Sequence, residues 1–317
     1  MKIKLFGCVG VLLGLCAINA AHAELIRGVV VQQTMPKPWE VDNRPTGKGW
    51  GERPPAGQGY ATSTGRKSST GANGITYHGG PVMLGTTGVY YIWYGNWAGN
   101  TATSILPDLI SGLSGSSYYN INTTYYNGSN VAVSNSTLLK KSITDNYSRG
   151  TALADADVTA IVSSAITSGA LPVDPNAVYF VLTSADVNET SGFCTSYCGW
   201  HTHGTIAGQD IKYSFVGNPD RCPTACAAQT VGPNGNAGAD AMASVLTHEL
   251  EEAVTDPDLN AWYDTSGAEN ADKCAWKFGT TYTTSNGAKA NMKLGARDFL
   301  IQQNWLNASG GLCTLAH

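Results

Sequence analysis

The residues best suited to chemistry stand in one segment, Ala241-Met-Ala-Ser-Val-Leu-Thr-His248-Glu249-Leu-Glu251-Glu252-Ala-Val-Thr-Asp256-Pro257. It contains H-E-x-x-E, a variant of the zinc-binding H-E-x-x-H. Ligands at i and i+4 lie on adjacent turns of one helix face, so His248 and Glu252 can converge on a single Zn2+; a carboxylate is an accepted zinc ligand. Glu249 is placed to take a proton from metal-bound water as general base. At about 100° per residue, His248, Glu249, Glu252 and Asp256 share the apolar face with Met242, Leu246 and Ala253. Ser244, Thr247 and Glu251 fall on the other side, the expected solvent face. Burying so many ionisable groups costs several kcal/mol unless a metal or a cationic substrate offsets it.

A third ligand has to come from elsewhere. Asp272, in Gly267-Ala-Glu269-Asn-Ala-Asp272-Lys-Cys274, is the first choice, because a disulfide at Cys274 would anchor its loop against the helix. The alternatives are Glu269 in the same loop, Asp256, His201 and His203. Asp256 precedes Pro257, which disfavours helical geometry there. His201-Thr-His203 alternates, so an extended backbone puts both rings on one face.

These residues need elements to position them. Val82 to Trp93, Tyr118 to Tyr126, Asn130 to Asn135, Val178 to Thr183 and Ile211 to Gly217 read as strands. Residues 104–113, with Pro107 in the first turn, 154–168 and 239–255 read as helices. The alternation predicts an α/β fold, a mixed sheet with flanking helices, whose C-terminal half is disulfide-stabilised. Residues 32–75, rich in Pro, Gly, Ser and Thr, have no apolar period. The expected organisation is a signal peptide over 1–23, a flexible segment over 24–76 and one domain over 77–317.

The signal reading follows from Lys2 and Lys4, the apolar run from Leu5 to Ile18, and the small residues Ala21 and Ala23. It predicts an exported chain, extracellular or periplasmic. Removing the signal moves the formal net charge from −4 to −6. A mildly acidic chain has no basic face for nucleic acid, and no apolar run is long enough for a membrane span. Six cysteines remain: Cys194, Cys198, Cys222, Cys226, Cys274 and Cys313. In an oxidising compartment they favour disulfides over a four-thiolate zinc knot. Pairing within each C-x-x-x-C, plus Cys274 with Cys313, is the simplest connectivity. No G-x-S-x-G nucleophile elbow is present, and no carboxylate pair stands out for glycoside hydrolysis.

The chain also resembles a known family. Tyr77-His-Gly-Gly-Pro81, Val89-Tyr-Tyr-Ile-Trp-Tyr-Gly-Asn-Trp97, Gly192-Phe-Cys194, Cys198-Gly-Trp-His201, Cys222-Pro-Thr-Ala-Cys226 and Pro233 to Asp240 are similar to motifs of the EXORDIUM, or phosphate-induced protein, family. The resemblance covers about residues 77–315 and implies a secreted protein, extracellular or wall-associated. The His248-Glu249 pair, Trp262-Tyr-Asp264 and Glu269 to Cys274 depart from the plant pattern. They resemble a microbial branch, and that resemblance implies a zincin-like helix. Two functions follow as expectations: a secreted zinc metallohydrolase, most simply a peptidase acting on a peptide or cell-wall substrate, or a non-catalytic extracellular binding protein.

Overall fold

A computed structural model describes residues 44–48 and 74–317. The expected signal peptide, and the expected flexible segment apart from residues 44–48 and 74–76, lie outside the described residues. Five strands form the central sheet: β1 (Thr87–Tyr94), β2 (Thr137–Asp145), β3 (Ala177–Thr183), β4 (Gly199–Ile206) and β5 (Gln209–Gly217), in the order β2-β1-β3-β5-β4. All neighbours are parallel except the β4–β5 hairpin. Every residue of β1 and β3 is buried. Strands buried on both faces read as continuous apolar runs, which is why these two are legible in the sequence. The hairpin turns through Ala207 (φ 50°) and Gly208 (φ 75°), two left-handed residues in succession, which match the twist of the flanking strands.

Three helices cover the sheet: α1 (Ala102–Leu113), α2 (Asp155–Thr167) and α3 (Ala237–Thr255). Val89, Tyr91 and Trp93 of β1 pack with α1, α3 and the C-terminal loops; Tyr90, Ile92 and Tyr94 pack with α2 on the other face. The result is the expected mixed α/β sheet flanked by helices, in three layers.

Several local readings are corrected. Residues 118–126 are not a strand: Tyr119–Thr124 is a 3-10 helix, because Tyr118 and Tyr125 are pulled under the C-terminal loops, donating to the Gln302 and Trp305 carbonyls. Residues 130–135 contribute a single bridge, Tyr126 with Ala132. The true neighbour of β1 is the edge strand β2, whose Lys140 and Lys141 hide it among polar sequence; such charges are usual on edges. Helix α1 begins at Ala102, so Pro107 lies in its second turn rather than its first. Within the segment expected to be a flexible tail, Gly47 is seated on β4, accepting a hydrogen bond from His201 N at 2.9 Å. Lys48 there pairs with Asp155 at 2.5 Å.

Among the described residues three disulfides are present, and two differ from the simplest pairing. Cys194 joins Cys222 and Cys198 joins Cys226, like two rungs of a ladder; Cys274 joins Cys313 as expected. Cys222 and Cys226 flank one helical turn, so their side chains point the same way and cannot face each other. They face the Gly192–Cys198 turn instead, which is closed by Ser196 N and Tyr197 N donating to Gly192 O. The Cys274–Cys313 link spans 39 residues. On chain entropy its removal, as Cys274→Ala with Cys313→Ala, is expected to cost about 4 kcal/mol. Denaturant unfolding would show this as a lower midpoint with a steeper slope, because the unlinked unfolded chain exposes more surface.

Candidate functional site

Helix α3 carries the site. Asn236 caps it, accepting from Ala239 N at 3.0 Å, and Asp240 sits favourably in the first turn. At the other end Asp256, at φ −142° and ψ 58°, leaves the helix just before Pro257. The last turn holds no basic residue. Glu249, Glu251 and Glu252 therefore lie toward the end where the helix dipole is negative, an arrangement that favours a cation nearby.

The three first-choice ligands come together. His248 Nε2 lies 3.0 Å from Glu252 Oε1 and 3.5 Å from Asp272 Oδ1. Such spacings match the edge of a tetrahedron with metal–ligand bonds of ~2.0–2.1 Å, about 3.3 Å. Asp272 opens a 3-10 turn, Asp272–Cys274, whose last residue is tied to Cys313. Two further bonds hold Asp272: its backbone N donates to Glu252 Oε1 at 3.1 Å, and its carboxylate Oδ2 accepts from Glu269 N at 3.2 Å. Asp272 Oδ1 is buried and takes no hydrogen bond from the described residues.

A second group abuts the first. His201 projects from β4 toward α3. Its Nε2 lies 3.3 Å from Glu269 Oε2 and 3.6 Å from Glu252 Oε2. One ligand atom each of His201, Glu249 and Glu252 falls within 4.8 Å of the others. Gly199, two residues before His201, makes room: a Cβ there would stand 2.7 Å from Val245 and 3.1 Å from Glu249 Oε1. Burial pulls the His201 imidazole down to about 3, with the neighbouring His248 and His203 adding to the effect, so the ring is neutral.

The remaining candidates lie elsewhere. His203 shares the face of β4 with His201 but meets Asp210 at 2.8 Å and Asp258 at 3.7 Å. Lys212 supplies the counter-charge there, 2.7 Å from Asp210 and 3.5 Å from Asp258. Asp256 closes the loop after the helix, accepting from Asn260 N and Ala261 N at 2.6 Å each. The expected solvent face of α3 is also corrected. Thr247 and Glu251 are fully buried, because the 268–306 loops cover that side; Asn304 Nδ2 donates to Glu251 Oε2 at 2.8 Å. Burial raises the Glu251 carboxyl well above the usual carboxylate range, with hydrogen bonds from Asn122 and Asn304 opposing the shift.

Sequence reasoning missed Gln302, whose side-chain Nε2 contacts His248 Nδ1 and whose Oε1 accepts from Trp276 N at 3.3 Å. In this sense the amide donates to Nδ1 and leaves the ring proton on Nε2, facing Glu252. Turned by 180°, Oε1 would accept Nδ1–H and free the Nε2 lone pair for a metal. Nothing near Gln302 in the sequence marks it, since its partner is 54 residues away. If the cluster takes Zn2+, Gln302→Leu is expected to weaken its binding about 10–100-fold in calorimetric titration; unchanged affinity would remove Gln302 from the site.

The model of the phosphate-induced protein 1 conserved region matches residues 75–296. The chain belongs to the phosphate-induced protein 1 family. Protein EXORDIUM-like 5 of Arabidopsis thaliana is 30% identical over 294 residues, covering 80% of each chain. Protein EXORDIUM-like 3 of the same plant is 32% identical over 272 residues, 73% of this chain and 80% of its own. Protein PHOSPHATE-INDUCED 1 of Nicotiana tabacum is 29% identical over 220 residues, 60% of this chain and 67% of its own. No solved structure matches. The family's matched region takes in β1 to β5, all three helices and every candidate ligand. Of the six disulfide-bonded cysteines, only Cys313 falls beyond it.

Proposed function

We propose that this phosphate-induced protein 1 family member is an exported, non-catalytic, wall-associated protein. In this reading His248, Glu252 and Asp272 hold a divalent cation, Zn2+ by their mix of imidazole and carboxylate, as a built-in counter-charge. The cation would neutralise facing carboxylates and clamp α3 to the 268–274 loop. The observation that carries the non-catalytic reading is burial: Glu249 and Glu252 are 0% exposed and His248 2%. A peptidase has to admit a peptide bond to its metal and its general base. The cavity beside His248, lined by Ser244, Val245, Trp276, Phe278 and Gln302, has about 30 Å³, space for a water or two. Export is supported by the three disulfides and by the signal-like start. Among the described residues no helix is long and apolar enough to cross a membrane.

The metallopeptidase alternative uses the same ligands, with Glu249 as base, and the H-E-x-x-E spacing favours it. One set of measurements separates the two. The purified protein should hold tightly bound Zn2+ by elemental analysis, leave casein uncut, and be retained on insoluble wall polysaccharide. Casein cleavage that disappears in Glu249→Gln with the metal retained would establish the peptidase instead. Metal-free protein of full thermal stability would overturn the peptidase and the structural cation alike.

A further inference from the structure

The ligand atoms fall into two groups, and Glu252 is the residue common to both. His248, Glu252 and Asp272 converge on one side of it, while His201, Glu249 and Glu252 converge on the other, each group within 4.8 Å. Glu252 presents a different oxygen to each imidazole: Oε1 to His248 at 3.0 Å and Oε2 to His201 at 3.6 Å. Glu269 Oε2 adds a further donor 3.3 Å from His201 Nε2. We propose that this is a two-cation centre, with Glu252 as the bridging carboxylate and His201, Glu249 and Glu269 completing a second subsite. The proposal rests on the single-cation reading above and deepens it.

Three arguments support two ions over one. A carboxylate that turns its two oxygens to separate donor sets suits metal pairs ~3.5–4 Å apart, and one ion cannot use both oxygens in opposite directions. Charge balance agrees: Glu249, Glu252, Glu269 and Asp272 carry four negative charges when ionised, the amount that two dications cancel. Mutual repulsion of carboxylates packed this closely is strong in a buried setting, so each dication converts repulsion into attraction. The donors also come from three separate parts of the fold: β4, α3 and the 268–274 loop. A pair of ions would thus fasten the edge strand, the helix and the loop at one point.

The test is metal stoichiometry in the full-length protein. After chelator dialysis and reloading with Zn2+, elemental analysis should give two equivalents per chain for the wild type. His201→Ala and His248→Ala should each retain one equivalent, and Glu252→Ala should retain none. Loading the wild type with Mn2+ should give an exchange-coupled electron paramagnetic resonance spectrum, a reading that needs no variant to fold. One equivalent in the wild type, left unchanged by His201→Ala and with an uncoupled Mn2+ spectrum, would overturn the bridged pair while leaving the single-cation reading intact. No bound metal at all would overturn both.

Discussion

Glu252→Ala is expected to lower the unfolding free energy by about 3–5 kcal/mol and to abolish the thermal response to chelator. The first figure is the usual cost of removing one member of a buried charged pair and leaving its partners behind. Glu252 is fully buried, and its Oε1 both accepts from Asp272 N at 3.1 Å and faces His248 at 3.0 Å. Alanine therefore cuts the tie between α3 and the 268–274 loop, and leaves a cavity besides. In a chain of this size the midpoint should fall by about 10 °C. The second effect separates metal loss from simple destabilisation. A ligand that binds only the folded state raises stability by mass action. The wild type should therefore lose thermal stability on adding a chelator, whereas Glu252→Ala should show the same midpoint with and without it. A variant that still responds to chelator would show that the proposed cation does not use Glu252.

The helix wheel placed His248, Glu252 and Glu249 on one face, and i,i+4 spacing does bring His248 and Glu252 into contact. The disulfide expected at Cys274 is present, and Asp272, two residues before it, lies 3.5 Å from His248. What the wheel could not supply was depth. It treated Glu251 as solvated, although the side chain is enclosed by loops that come from 20 to 55 residues further along the chain. Burial of a helix on all sides is a property of its partners, not of its own periodicity. The same limit explains the rest. The edge strand β2 has a polar composition set by exposure, and Tyr118 to Tyr126 has strand-like composition while its hydroxyls are drawn to distant carbonyls. The disulfide pairing depended on which way two turns face each other, and C-x-x-x-C spacing carries no such information. Gln302 and Gly199 act only through contacts across the fold.

Asp256→Asn is expected to stabilise the protein by about 4 kcal/mol at pH 8 and by almost nothing at pH 4. Asp256 is fully buried, and this desolvation lifts its carboxyl to about 7 from the ordinary 3.8. Hydrogen bonds from Ala261 N and Asn260 N oppose the rise, and the neighbouring Asp258 adds to it. The sign follows from proton binding. Below about pH 4 the group is protonated both folded and unfolded, and it has no effect. Between about 4 and 7 the folded state keeps the proton and the unfolded state has lost it, so stability falls as pH rises, at about 1.4 kcal/mol per unit. Above about 7 both states are ionised and the loss is complete. Asparagine keeps the oxygen that accepts from Asn260 N and Ala261 N at 2.6 Å and carries no charge to bury. Other groups titrate over the same range, so the informative quantity is the difference between the two proteins, measured by denaturant unfolding at each pH. A gap that stays constant from pH 4 to 8 would show that Asp256 is ionised throughout, held there by a positive charge close to the end of α3. A gap that opens with rising pH would show that the helix terminus is balanced by a proton.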